Sequence, residues 1–222
     1  VSESRGLGDV YKRQIMDSLK PHLKLAETLG LLVSQISGGQ IQKLEVRLQG
    51  EFAQHPSQPL VIATLKGLLT SALGDKINYV NASLEAKGRG IDVVEITDEL
   101  SPEFARGSLQ LVSFSDKGGH SVSGTVFGDG DLGITSIDEY PINFVPSRHM
   151  LFTRHRDMPG IIGQIGSLLG KHNVNVASMQ VGRRIVRGEA VMVLSIDDPI
   201  PPQLLGSILS MQGINEAHSV TL

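Results

Sequence analysis

Apolar residues recur along this chain with two periods, and the points where the period changes divide it into elements. Ile15, Leu19, Leu23, Leu25, Leu29, Leu32, Val33 and Ile36 fall near three- and four-residue intervals, the spacing of one helix face. Pro21 and Gly30 interrupt that run, which predicts two short helices. The alternation then shortens: Leu44, Val46 and Leu48 take turns with Glu45, Arg47 and Gln49, as in a half-exposed strand. Helical spacing returns over 59–73, with Pro59 early, where a missing amide matters least. Asn81 is a cap candidate for a short helix that ends at Gly88 and Gly90 and feeds a strand over 91–97. Runs 108–115, 121–128, 133–139 and 142–146 alternate between glycine-rich turns, predicting an antiparallel meander. These elements imply an α+β domain over 15–146, with Val145-Pro146-Ser147 as a linker. Residues 1–14 carry glycine, serine and mixed charge without an apolar period and lack an initiating methionine. They are expected to be a foreign or disordered leader outside the fold.

From 147 to 222 the order is simpler. An alternating run over 148–155 precedes a helix over 159–171 whose stripe is Ile161, Ile162, Ile165, Leu168 and Leu169. Strands over 174–182 and 189–197 flank a turn, and a helix over 201–211 leads to a last strand over 214–222. The order β-α-β-β-α-β is that of a split βαβ, ferredoxin-like unit. Both helices cover one face of such a sheet, so the other face and the edge strands are expected to be open to a partner.

Composition narrows the function. The 222 residues, 40% of them hydrophobic, suffice for two domains. A net charge of −3 without a lysine- or arginine-rich tract speaks against nucleic acid as a partner. Cysteine is absent, which excludes disulfides, thiolate metal sites and a cysteine nucleophile and suggests a cytoplasmic setting. Apolar runs stay far short of the roughly 20 residues that cross a bilayer, so a soluble protein is expected. No dinucleotide, phosphate-loop, zinc-protease or nucleophile-elbow signature occurs, so no catalytic residue and no metal or cofactor site is assigned. None of the seven histidines has a partner at metal-ligand spacing, and most are read as solvated surface groups. The arginines Arg183, Arg184 and Arg187 bracket a hairpin turn and could hold an anion, with a solvated basic turn the favoured reading, and Met179 and Met192 are read as sheet core.

The stretch Asp157-Met158-Pro159-Gly160 carries the candidate chemistry. Pro159 suits a first helical position, and Asp157 before it can cap the helix. The same geometry has a second use. Amides at a helix N-terminus attract a carboxylate and a neighbouring carboxylate attracts an ammonium group, and an amino acid carries both. His155, two residues earlier, shares a side with Asp157, and the amide of Asn175 donates and accepts at once. A plain cap for Asp157 and a plain turn for Asn175 remain equally open on the residues alone.

The run His155 to Gly160 (HRDMPG), followed by IGQIGSLLGKHNVNVASMQVGR and GEAVMVLSIDDPIP, resembles an ACT domain, closely that ending the long type of bacterial phosphoglycerate dehydrogenase. LKPHLKLAETLG, LEVRLQGEF, LKGLLTSAL and NYVNASLEAKGRGI resemble that family's intervening, allosteric substrate-binding domain. The resemblance implies an α+β intervening domain with an antiparallel sheet, followed by a ferredoxin-like ACT domain. It also implies L-serine bound by His155, Asp157 and Asn175 where two ACT domains meet, with self-association through that domain. Where many relatives carry arginine after the acidic or amide position, this chain has Met158, which removes a charge near the ligand. The family's NAD-binding and catalytic domains would lie before Ile15. The expected function is therefore a regulatory and oligomerisation fragment, inactive alone, with NAD needed only by the complete enzyme. A serine-insensitive oligomerisation module and a free-standing ACT sensor of another amino acid are the alternatives.

Overall fold

The computed structural model describes residues 3–98, 107–128 and 130–222, with side chains described from Ser18 onward. Helix α1 (Glu3–Ile36) is one continuous helix, not the two short ones expected. Pro21 withholds one amide, but Leu19, Leu25, Leu29, Leu32 and Val33 on the same stripe are buried, and tertiary packing of that stripe holds the helix together. Gly30 is a contact rather than a break. A Cβ there would collide with the Thr64 carbonyl of α3 (Ser57–Leu73), and a Cβ at Gly67 would collide with the Glu27 carbonyl of α1. Two glycines thus let the helices touch backbone to backbone. The helical backbone reaches back through the segment expected to be a leader, while Val1 and Ser2 lie outside the described residues.

Strands β1 (Ile41–Gln49), β2 (Asp92–Asp98), β3 (Ser108–Ser115), β4 (Gly118–Val126), β5 (Leu132–Ile137) and β6 (Tyr140–Phe144) form one sheet in the order β2-β1-β3-β4-β5-β6. The meander from β3 to β6 is antiparallel as expected, and β2 lies parallel to β1. The parallel pair follows from the crossover between those strands, which holds α2 (Glu51–Gln54), α3 and α4 (Ala82–Gly88). Asn81 does not cap α4: its side chain accepts from the Asn78 amide and donates to the Lys76 carbonyl, closing the turn instead.

The second domain holds β7 (His149–Arg156), α5 (Ile161–Lys171), β8 (Val176–Arg183), β9 (Glu189–Ile196), α6 (Pro202–Leu209) and β10 (Ile214–Thr221). The sheet order β10-β7-β9-β8 places β9 between β7 and β8, which is the split βαβ arrangement. Leu151, Met192, Leu194 and Ala217 face α5 and α6 in one core. Met150, Phe152, Val191, Val193 and Val220 face the opposite way. That second face was expected to be open. Its apolar middle is buried in one core with Val122, Ile134, Ile137 and Ile142 of the first domain, because removing those side chains from water is favourable. Strand β8 remains a sheet edge, largely exposed, with Val181, Ile185 and Val186 exposed at or beyond its end. Among the described residues no helix is long and apolar enough to cross a membrane.

Candidate functional site

The loop from β7 to α5 is where the expected site residues begin, and its geometry differs from the expectation in two ways. Helix α5 starts at Ile161, after Gly160 in a left-handed conformation (φ 92°), so Pro159 precedes the helix rather than opening it. Asp157 does not cap α5. Its Oδ2 accepts from the Arg183 guanidinium at 2.7 Å and from the Arg187 amide at 3.2 Å, tying the loop to the β8–β9 hairpin. The Arg183 hydrogen bond, with help from the Arg187 amide, holds the Asp157 carboxyl below its usual range. Arg183 is therefore a tie between loop and hairpin, although half of its side chain stays in solvent. Arg184 is another: it donates to the Glu139 carbonyl and carboxylate and lies over the Tyr140 ring, joining the second domain to the first.

His155 lies at the end of β7 on the helix-covered side and is only 1% exposed. Its Nδ1 is 3.4 Å from Thr153 Oγ1. Burial pushes its pKa down, with the Asp157 carboxylate pulling the other way. It sits behind the pocket rather than in its wall. The pocket itself is a cavity of about 360 Å³ lined by Arg156, Asp157, Met158, Pro159, Arg187 and Gly213. Met158 packs into the core of the second domain, and its sulfur lies where a Cβ on Gly213 would have to go. The charge absent at Met158 has neighbours that supply it. Arg156 and Arg187 line the same cavity, and no described residue engages either guanidinium.

Asn175 stands apart. It precedes β8 at the other end of the sheet, where its Nδ2 donates to Asp197 Oδ2 at 2.8 Å and its carbonyl accepts the Asp197 amide. The separation follows from topology. β7 and β8 both run antiparallel to β9; His155 lies opposite Ala190, and Val176 lies opposite Ile196. Six residues of β9 amount to roughly 20 Å. The structure brings His155 and Asp157 together and leaves Asn175 far from both.

Two further clusters escaped the sequence. Between the domains, Asp138 holds Arg154, lies 2.9 Å from His120 Nδ1 and accepts the Ser121 amide at 2.9 Å. Burial works against the Asp138 carboxylate, but His120, Ser121 and Arg154 together hold its pKa below the usual range. Asp138 and Glu139 both adopt positive φ, 50° and 61°, in the two-residue turn from β5 to β6. The members are too far apart in sequence for any spacing to reveal them. In the first domain, donor atoms of His22, Glu51 and His55 lie within 4.8 Å of one another, a grouping that the fold rather than a ligand motif creates. The four-residue step from Glu51 to His55 was the available signal.

Fold and site together define an α+β chain whose second domain is a ferredoxin-like ACT domain, the family that residues 149–213 match. Residues 18–138 match the D-3-phosphoglycerate dehydrogenase intervening domain, and the chain belongs to that family. It is 55% identical over 209 residues to the D-3-phosphoglycerate dehydrogenase of Synechocystis sp., covering 94% of this chain and 38% of that relative. It is 35% identical to the D-3-phosphoglycerate dehydrogenase of Methanocaldococcus jannaschii, covering 93% of this chain and 39% of the relative. Against that of Bacillus subtilis it is 29% identical, covering 92% of this chain and 39% of the relative. The chain thus spans about two-fifths of the length of these relatives and holds regulatory domains of their type.

Proposed function

We propose that the chain senses L-serine for an NAD-dependent phosphoglycerate dehydrogenase acting at the first step of serine synthesis in the cytoplasm, and that the ligand sits between two copies of the ACT domain. Catalysis and NAD binding are assigned to other domains of the complete enzyme. The observation that carries the reading is the opposite placement of Asp157 and Asn175 on one sheet. A two-fold antiparallel pairing of β8 with β8 of a second copy sets the start of one strand against the end of the other. Asn175 of a second copy then approaches the loop that Arg183 fastens to Asp157. The exposed apolar side chains at Val181, Ile185 and Val186 suit such pairing.

Each polar group of serine has a counterpart in this arrangement. Asp157 takes the ammonium; Arg156, Arg187 and the uncapped first turn of α5 take the carboxylate. Asn175 of a second copy takes the hydroxyl. His155, buried beneath Asp157, positions the loop instead of touching ligand. Closing the interface on serine biases the joint with the intervening domain, a coupling on the order of 1–3 kcal/mol. A thermal-shift series over small amino acids tests the ligand class. L-serine should raise the unfolding midpoint with the logarithm of its excess, and Asp157→Ala should abolish the rise. No shift with any amino acid overturns the sensing role.

A second reading rests on the Arg183–Asp157 bond, which already satisfies the carboxylate. In that reading the ACT domain pairs copies without responding to serine. Sedimentation showing a dimer with the same dissociation constant at zero and saturating serine supports it.

A further inference from the structure

We propose that His22, Glu51 and His55 form a binding site for a borderline transition-metal cation of the zinc type, fastening α1 to the segment around α2. His22 projects from α1, Glu51 opens α2 and His55 follows its last turn, so two distant stretches of chain converge on one point. The donor atoms of all three lie within 4.8 Å of one another. The two imidazoles are 4.5 Å apart between ring centroids, and the edge of Phe52 closes one side at 4.8 Å from His22.

Two features go beyond proximity. His55 Nε2 is fully buried and has no hydrogen-bond partner, an arrangement that native structures avoid unless something fills it. His22 Nδ1 lies 3.1 Å from the Ser18 carbonyl, so the ring donates its proton there and presents the Nε2 lone pair. A carbonyl that fixes the tautomer behind a ligating nitrogen is the usual second layer of a metal site. Burial, and then the neighbouring His55, also push His22 down, which favours the neutral, ligating form.

The donor set selects the cation. Two imidazoles and one carboxylate suit zinc, nickel, cobalt or copper, while magnesium and calcium favour oxygen shells. Tetrahedral zinc, with ligands at about 2.0–2.2 Å, needs its donors about 3.4 Å apart. Glu51 is exposed and engages no described residue, so its side chain is free to close the difference. The fourth position opens on a cavity of about 620 Å³ lined by Ser18, Pro21, Glu51, Phe127 and Gly128, which leaves room for water or an exchangeable ligand. The proposal is independent of the serine site, which lies in the other domain.

Calorimetric titration of the intact chain with Zn²⁺, and with Mg²⁺ as comparison, tests it. One Zn²⁺ per chain with a raised unfolding midpoint and no response to Mg²⁺ is expected. Co²⁺ should give the visible absorption of a tetrahedral site. Glu51→Gln and His55→Asn remove exposed or half-buried groups and leave the core intact. Each should weaken Zn²⁺ by about tenfold or more, since even outer-layer changes cost about 10–100-fold. His172→Gln, an exposed helix-end change, should leave binding as it was. Absence of stoichiometric binding, or unchanged affinity in both Glu51→Gln and His55→Asn, overturns the site.

Discussion

Two aspartate–arginine pairs in this molecule use the same chemistry for opposite purposes. Asp138–Arg154 joins the intervening and ACT domains, with side chains 10% and 22% exposed. Asp157–Arg183 fastens the loop before α5, with side chains 23% and 52% exposed. The first pair is embedded among His120, Ser121 and Glu216, and the apolar contact of Phe152 and Val193 with Ile134 and Ile137 surrounds it. The second borders an open cavity. A buried pair has no water to replace a lost partner, so it enforces one geometry. A half-solvated pair exchanges partners at small cost, which a ligand needs. Rigidity thus belongs to the joint between domains and adaptability to the ligand loop.

Breaking the buried pair is expected to have the largest effect. Asp138→Ala leaves Arg154 with only the longer 3.7 Å contact to Glu216 and removes the partner of His120 and of the Ser121 amide, and should lower stability by about 3 kcal/mol in urea unfolding. Replacing both, Asp138→Leu with Arg154→Met, should recover most of that loss; failure to recover would mean the turn itself, with its two positive-φ residues, is the fragile part. A smaller effect comes from pH. His155 beneath the ligand loop and His218 at the joint are both held below their ordinary value of 6.5, chiefly by burial. The folded chain keeps them neutral while the unfolded chain takes up protons, so their stabilisation is present above about pH 6.5 and is lost as pH falls below it. Unfolding free energies at pH 7.5 and 5.5 should differ in that direction, and a flat profile contradicts the assignment. The smallest effect on stability is Asp157→Ala, below that of either preceding change and weaker still in high salt, because solvent screens the pair. A large loss there would erase the contrast between the two pairs.

The second domain was legible in nearly full detail because its strands alternate cleanly and its two helices carry single apolar stripes. The α1 helix was not, since Pro21 and Gly30 read as breaks in sequence. Only the packing of α1 on α3 shows why a proline is tolerated and why a glycine is required. Asp157 was found from local chemistry, but its bond to Arg183 joins positions 26 residues apart that no period connects. Arg187 was legible only as part of a basic turn and Arg156 not at all, because a cavity, not a motif, unites them. The joint at Asp138 was invisible for the same reason, and of the His22 cluster only the step from Glu51 to His55 was open to view, since His22 joins it by tertiary contact.

If one ligand needs Asp157 from one copy and Asn175 from another, two defective chains should complement each other. Asp157→Ala and Asn175→Ala chains should each give no heat with L-serine in calorimetry. After mixing and re-equilibration the heterodimers should regain one intact site each, about a quarter of the original site number for random two-fold pairing. Serine binding by either variant alone, or none after confirmed exchange of subunits, contradicts a site shared between copies.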